Sequence, residues 1–349
     1  MLKKSKLYNI ILVLLLMFGQ VLSGCTRTED GTESSKKADV VLKFAGEDIS
    51  LGEVYVYANT IVEQYEKSYG DSVWGMEVPI SETETENMET ITRKDIIESI
   101  VRVKVLSSKA EEYNIKLSAD EEDKITRQAD AFYKNLTDKQ IEEMQLTRDV
   151  VVKVYKENEI AGRVYNKVVG NAGIEVSDED ARQTTFYDLV FEKYSVGNDG
   201  KVKELSEDEQ TVQYERALQA YNTLVNPVSG SENTNIEGLA EFYGASDSRY
   251  YTVSPSKIRE MYGNEICEML YSLEDGSYSL VTESEYGYHI FYMKALTDRD
   301  ATDKLKESEI STKERNYFAT YYEKWLKETD SGYSYDKSVD KDVYDKIQF

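Results

Sequence analysis

Apolar residues recur along this chain with two different periods, and the change between them divides it. Val40, Val41, Leu42 and Phe44 form a short apolar run that predicts a strand. Ala45-Gly46-Glu47 reads as a turn, and Ser50 as the cap of a helix through "LGEVYVYANTIVEQYEKSYG". The acidic stretch from Glu77 to Glu89 reads as a loop. In "TRKDIIESIVRVKVLSSKAEEYNI", Ile96, Ile100, Val103 and Ala110 repeat at helical spacing, and Ile97, Val101 and Val105 widen the stripe until the helix needs partners on both sides. Two further helices are predicted in "SADEEDKITRQADAFYKNL" and "TRDVVVKVYKENEIAGRVYNKVVGN". Ser118 and Thr147 are their N-caps, and Glu121 completes a capping box with Ser118. This helical region closes near Gly173.

From Thr184 the pattern changes. "TFYDLVFEKYSV" contains a strand-like run, "LSEDEQTVQYERALQAYNTLVN" predicts an amphipathic helix, and "NIEGLAEFYGA" a shorter one. "EICEMLYSLEDGSYSLVTESEYGYHIFYMKAL" then gives a helix, a turn at Asp275-Gly276, a strand at Leu280 to Thr282 and a last strand at Tyr288 to Lys294. Helices and strands in that order make an α+β module. Beyond it, Phe318, Tyr322, Trp325 and Leu326 share one face of a helix, and "SGYSYDKSVDKDVYDKIQF" reads as a loose polar tail.

The first 25 residues change the picture of where the chain works. Lys3, Lys4 and Lys6 precede an apolar run from Ile10 to Phe18, a secretory signal too short in its apolar part to span a membrane. Its ending, Leu22-Ser23-Gly24-Cys25, resembles the bacterial lipobox, which implies lipidation of Cys25 and a place at the outer face of the cell membrane. An ordinary signal peptide with an incidental cysteine is the alternative. Residues 26–39, "TRTEDGTESSKKAD", read as a flexible tether.

The formal net charge of −24 makes nucleic acid an unsuitable partner, and anionic headgroups repel the chain, so a lipid has to hold it. Cys267 is the one thiol beyond Cys25, so stability rests on a core rather than on a disulfide. The chain has a single histidine, His289. It reads as a structural histidine on a core strand, as an organiser of a catalytic pocket, or as a pH sensor. No nucleophile in the sequence pairs with it to suggest a triad, since Cys267 falls inside an apolar helix, and no metal-ligand spacing is present.

The stretch "LYSLEDGSYSLVTESEYGYHIFYM" resembles the closing segment of parvulin-type peptidyl-prolyl isomerases, with Gly276, Gly287 and His289 as the firmest matches. "NIKLSADEEDKI" and "IEVSDEDARQTTFYDLVF" look like the helix-opening phrases of the chaperone region that accompanies such domains. With the lipobox, the chain resembles PrsA-type foldase lipoproteins and, more distantly, SurA-type chaperones. The resemblance implies two histidines hydrogen-bonded across a sheet, an Asp or Cys near the substrate carbonyl, and Met and Phe at a proline pocket. His289 is the second histidine, and Tyr187 is nearest the first, where it could donate to His289. The acidic position falls at Ser246 or Asp247. Met261, Ile266 and Tyr271 stand at the substrate pocket, and "SRYYTVSPS" replaces the expected glycine-rich phrase.

The fold expected is therefore α+β: a helical chaperone domain with an inserted parvulin-like domain, a small antiparallel sheet with surrounding helices. Its parts are a signal peptide (1–24), a lipidated cysteine and tether (25–39), the helical domain (40–183), the parvulin-like domain (184–297) and a closing helix and tail (298–349). The resemblance implies proline isomerisation on unfolded secreted chains, without cofactor or metal. A catalytically silent holdase is the second reading. A lipoprotein for a small solute is the third, disfavoured because the long helices do not alternate with strands.

Overall fold

The computed structural model describes residues 38–81, 83–197, 200–226, 235–245 and 247–349. Cys25, the tether up to residue 37 and Ser246 lie outside the described residues.

The chain opens with a hairpin, β1 (Val40–Phe44) against β2 (Glu47–Ser50). Ala45 and Gly46 both take positive φ at its turn, the twist a two-residue hairpin needs. α1 (Leu51–Tyr69) follows, with Ser50 accepting from Glu53 N as its cap. The acidic stretch read as a loop folds into a second hairpin, β3 (Glu77–Pro79) with β4 (Thr85–Asn87), and Asn87 caps the next helix, α2 (Met88–Ser108). α3 (Ala119–Asn135) starts with the capping box of Ser118 and Glu121. α4 (Asp138–Glu143) and α5 (Arg148–Gly170) complete the run, Thr147 capping α5 through Val150 N.

Next come β5 (Thr184–Glu192), a ribbon of β6 (Tyr194–Val196) and β7 (Val202–Glu204), α6 (Glu207–Val225), α7 (Ile236–Tyr243), β8 (Arg249–Val253), α8 (Pro255–Tyr271), β9 (Thr282–Glu283) and β10 (Gly287–Ala295). Leu280, expected in a strand, is instead 70 % exposed just before β9. α9 (Arg299–Thr329) and two short turns of helix, α10 (Tyr335–Ser338) and α11 (Lys341–Tyr344), end the chain. The fold is α+β.

Two compact units divide these elements, one running up to Gly173 and resuming at Glu314–Phe349, the other Ile174–Lys313. In the first, the wide apolar stripe of α2 (Ile96, Ile97, Ile100, Val101, Val105) is fully buried with Val54 and Val56 of α1 and Val151 and Val154 of α5. The C-terminal tail is not loose. Tyr344 is 1 % and Ile347 2 % exposed, and Arg93 donates to their carbonyls at 3.2 and 2.7 Å while its guanidinium lies 4.4 Å from the Phe349 ring. Among the described residues no helix is long and apolar enough to cross a membrane.

In the second unit β5, β8, β9 and β10 form one antiparallel sheet in the order β8-β5-β10-β9, apart from the β6–β7 ribbon. Leu189 and Phe191 of β5 and Ile290 of β10 pack with α6 and α7, while Phe186, Phe291 and Met293 pack with Ile258, Ile266 and Leu270 of α8. Side chains alternate across a strand, so residue phase decides which of these two cores a residue joins.

Candidate functional site

His289 is on β10 in phase with Phe291 and Met293, so its imidazole lies on the α8 side of the sheet. It is 2 % exposed and its ring stacks parallel to that of Phe291 at 5.3 Å. On β5 the in-phase residues are Phe186, Asp188 and Val190. The register sets His289 opposite Val190 and Phe291 opposite Asp188, which makes His289 and Asp188 diagonal neighbours on one face.

Asp188 is thereby the partner of the histidine. Its carboxylate oxygens lie 2.8 and 3.1 Å from His289 Nδ1, and Asp188 is 4 % exposed. The hydroxyl of Tyr262 donates to Asp188 Oδ2 at 2.8 Å, and its ring stands edge-on to His289 at 5.7 Å. Burial, then the charge of Asp188, push the Tyr262 hydroxyl far above its ordinary range, so it stays a donor. On the far side of the imidazole, Nε2 lies 2.8 Å from Ser284 Oγ. Tyr262, Asp188, His289 and Ser284 form one hydrogen-bonded chain.

Two features of the backbone hold this chain in place. Gly287, at the start of β10, approaches β5 so closely that a Cβ there would sit 2.4 Å from the Phe191 carbonyl oxygen. Gly263, directly after Tyr262, takes φ 83° and ψ 177° and divides α8 into two helical pieces. Glycine alone adopts that conformation without strain. The break aims Tyr262 at the sheet.

The residues expected from the sequence are distributed unevenly around this centre. Tyr187 does not reach His289: one residue out of phase with Asp188, it faces the α6 and α7 side, where it packs edge-on to Tyr250 at 4.9 Å. Ile266 is buried on the His289 face with Phe186 and Phe291. Met261 is half-buried, but the neighbouring Tyr262 is the side chain that meets the pair. Tyr271 lies further along α8, its hydroxyl 2.8 Å from Thr184 Oγ1. Asp247 is exposed, and it shares a hydrogen bond with Glu192 of β5. Burial and that contact push Glu192 up to about 7. Cys267 is 1 % exposed, with its thiol facing the Pro255 carbonyl at 3.8 Å. Among the described residues no cluster of three His, Cys, Asp or Glu side chains could hold a metal ion.

Sequence reasoning missed Asp188, Tyr262 and Ser284. The signal for Asp188 was its place as the lone charged residue within the run "TTFYDLV". A carboxylate in a strand buried on both faces needs a partner.

A helical unit interrupted by an α+β unit, whose antiparallel sheet buries a histidine-carboxylate pair beneath a kinked helix, defines a two-unit α+β class of chain. No protein-family model matches it. Curated relatives do. The foldase protein PrsA of Clostridium perfringens strain 13 is 24 % identical, with 94 % of this chain and 95 % of the relative covered. That of strain SM101 is 26 % identical over 86 % of this chain and 85 % of the relative. Among solved structures, PrsA from Bacillus subtilis is 16 % identical with a TM-score of 0.23, covering 78 % of this chain and 98 % of that one. Peptidylprolyl isomerase (PrsA) from Bacillus cereus is 15 % identical with a TM-score of 0.23, covering 78 % and 97 %. The resemblance to PrsA-type foldases thus extends in sequence over nearly the whole chain.

Proposed function

We propose that this chain is an extracytoplasmic protein-folding factor, anchored by a lipid on Cys25, whose 184–297 domain isomerises X-Pro bonds of secreted polypeptides. The single observation carrying this reading is the buried His289–Asp188 pair on an apolar sheet face, with Tyr262 and Ser284 closing it from either side. Rotation about X-Pro needs no nucleophile or metal; it is slow because it breaks amide resonance. A twisted amide has lost charge separation, so an apolar, water-poor surface favours it over the planar form. Phe186, Ile266, Phe291 and Met293 are buried beside the pair and make its surroundings apolar. The pair itself fixes the imidazole and, through it, the hairpin that bears Ser284. The helical domain, 40–183 with the closing segment 298–349, serves as the chaperone part, and its clients are unfolded or partly folded secreted chains.

The placement of Tyr262 favours a second reading, a holdase without catalysis. Its ring stands edge-on to His289 and to Phe291, at 5.7 and 5.3 Å, and occupies apolar surface that a prolyl ring would use. Exchange NMR on X-Pro peptides separates the two. Under the first reading the full chain accelerates exchange and His289→Ala lowers that acceleration at least tenfold. A folded chain that gives the uncatalysed rate yet suppresses aggregation of an unfolded client is a holdase.

A further inference from the structure

We propose that Ser284 is the nucleophile of an acyl-transfer site, activated by His289 and Asp188, that takes neutral or cationic carboxylic esters. This goes beyond isomerisation and does not depend on it. The sequence offers no nucleophile for its one histidine; the fold supplies one across the β9–β10 turn.

For the neutral imidazole, counting donors and acceptors sets the direction of the hydrogen-bonded chain. The Asp188 carboxylate takes the Tyr262 O–H and faces His289 Nδ1, so Nδ1 carries the proton of the neutral ring and Nε2 keeps its lone pair. The 2.8 Å contact at Nε2 is then Ser284 donating its hydroxyl proton to a base. Serine, imidazole and carboxylate stand in the order and within the reach that nucleophilic acyl transfer requires, about 2.6–3.2 Å. Tyr286 N donates to Ser284 Oγ at 3.0 Å and Ser284 N to the Gly287 carbonyl at 2.9 Å, which holds the hydroxyl on its base. His289 and Asp188 are shielded from water, whereas Ser284 is half-buried on the turn, where an ester can reach it.

The surroundings define the ester. Lys193 Nζ donates to the Ser284 carbonyl at 2.9 Å and pairs with Glu283, which fixes the backbone of the turn that carries the serine. Glu285, exposed next to the serine, disfavours an anionic acyl group. Leu280 and Tyr286, 70 and 53 % exposed, provide apolar surface close by in the chain.

In the reaction, Ser284 Oγ bonds to the carbonyl carbon as its proton passes to His289 Nε2 and the carbonyl electron pair moves to oxygen. Collapse breaks the bond to the alkoxy group, which leaves as the alcohol with the proton from Nε2. Water, giving its proton to the same nitrogen, then cleaves the acyl-serine to a carboxylic acid and restores Ser284. No electron transfer is involved.

The test is to treat the full chain with a fluorophosphonate probe, map the adduct by mass spectrometry, and follow p-nitrophenyl butyrate hydrolysis. One adduct, on Ser284, is expected, with ester turnover lost in Ser284→Ala and both rates lowered at least tenfold in Asp188→Asn. Ser284→Cys, which leaves the buried pair intact, should take up a chloroacetamide probe at least tenfold faster than the buried Cys267. No adduct on Ser284, or labelling at the same rate in a folded Asp188→Asn chain, overturns the proposal, as does a Ser284→Cys thiol no more reactive than Cys267.

Discussion

At the scale of single residues, Asp188 is the acceptor on which the site depends. Two donors, Tyr262 O–H and His289 Nδ1, converge on it from different elements. Asp188→Asn keeps the shape but turns one acceptor oxygen into an NH2 donor, so one of those two is left facing a donor. Leaving such a buried group unsatisfied costs about 1–3 kcal/mol, and Tyr262→Phe, which removes only one bond, about 1 kcal/mol. In a urea double-mutant cycle the two losses should not add, because they share a partner. An Asp188→Asn chain as stable as the parent would remove the pair from this account. His289 could be identified from the sequence, and its partner could not. β5 is buried on both faces from Thr184 to Phe191, so no polar-apolar alternation reveals its phase. An offset of one residue moves every side chain to the other face, which is why Tyr187 stood in for Asp188. On α8 the same one-residue offset turns Met261 into Tyr262, about 100° around the helix.

At the scale of elements, the long amphipathic helices and their caps were legible because 3.6-residue periodicity and Ser or Thr caps are local signals. The closing tail was not. Its polar composition conceals Tyr344, Ile347 and Phe349, and their partner Arg93 lies some 250 residues earlier. Gly263 is another such case, a lone glycine whose role shows only in its backbone. A Cβ there meets nothing within 4 Å, so Gly263→Ala tests backbone strain alone and should cost about 1–3 kcal/mol in thermal or urea unfolding. No loss would mean that α8 can run straight past Tyr262. In α2, burial pushes Asp95 up to about 7, with Arg102 opposing the shift. The folded chain therefore holds this proton more tightly than the unfolded one, whose Asp titrates near 3.8. Stability from this group is complete below about pH 4 and is lost as pH rises through about 7, by at most roughly 4 kcal/mol. Asp95→Asn should match the parent in urea unfolding at pH 4 and exceed it at pH 8. A constant difference between the two pH values would count against a raised Asp95.

At the scale of the whole molecule, the charge of −24 and the division into two units make separate predictions. Clients with basic segments should associate faster at low salt, and the on-rate should fall several-fold between 20 and about 200 mM salt as the Debye length shortens; an on-rate indifferent to salt would rule out steering. The division into units bears on stability. The first unit draws Phe318, Trp325, Val339, Tyr344 and Ile347 into its core from beyond Lys313, although its other core residues all precede Gly173. Both cores flanking the second unit's sheet are built from residues between Phe186 and Leu296, and Lys306 reaches Asp178 within that same unit. Each buried aromatic or large aliphatic side chain contributes about 1.5–3 kcal/mol, so removing five of them exceeds much of a typical domain's net stability of about 5–15 kcal/mol. A chain ending at Lys313 should lose hydrogen-exchange protection across α1, α2 and α5 while β5 and β10 keep theirs. Protection lost from both units together would mean that the second depends on the first. Protection kept in both would mean that the closing segment adds little to the first core, despite the burial of Trp325 and Tyr344 at 4 and 1 % exposure.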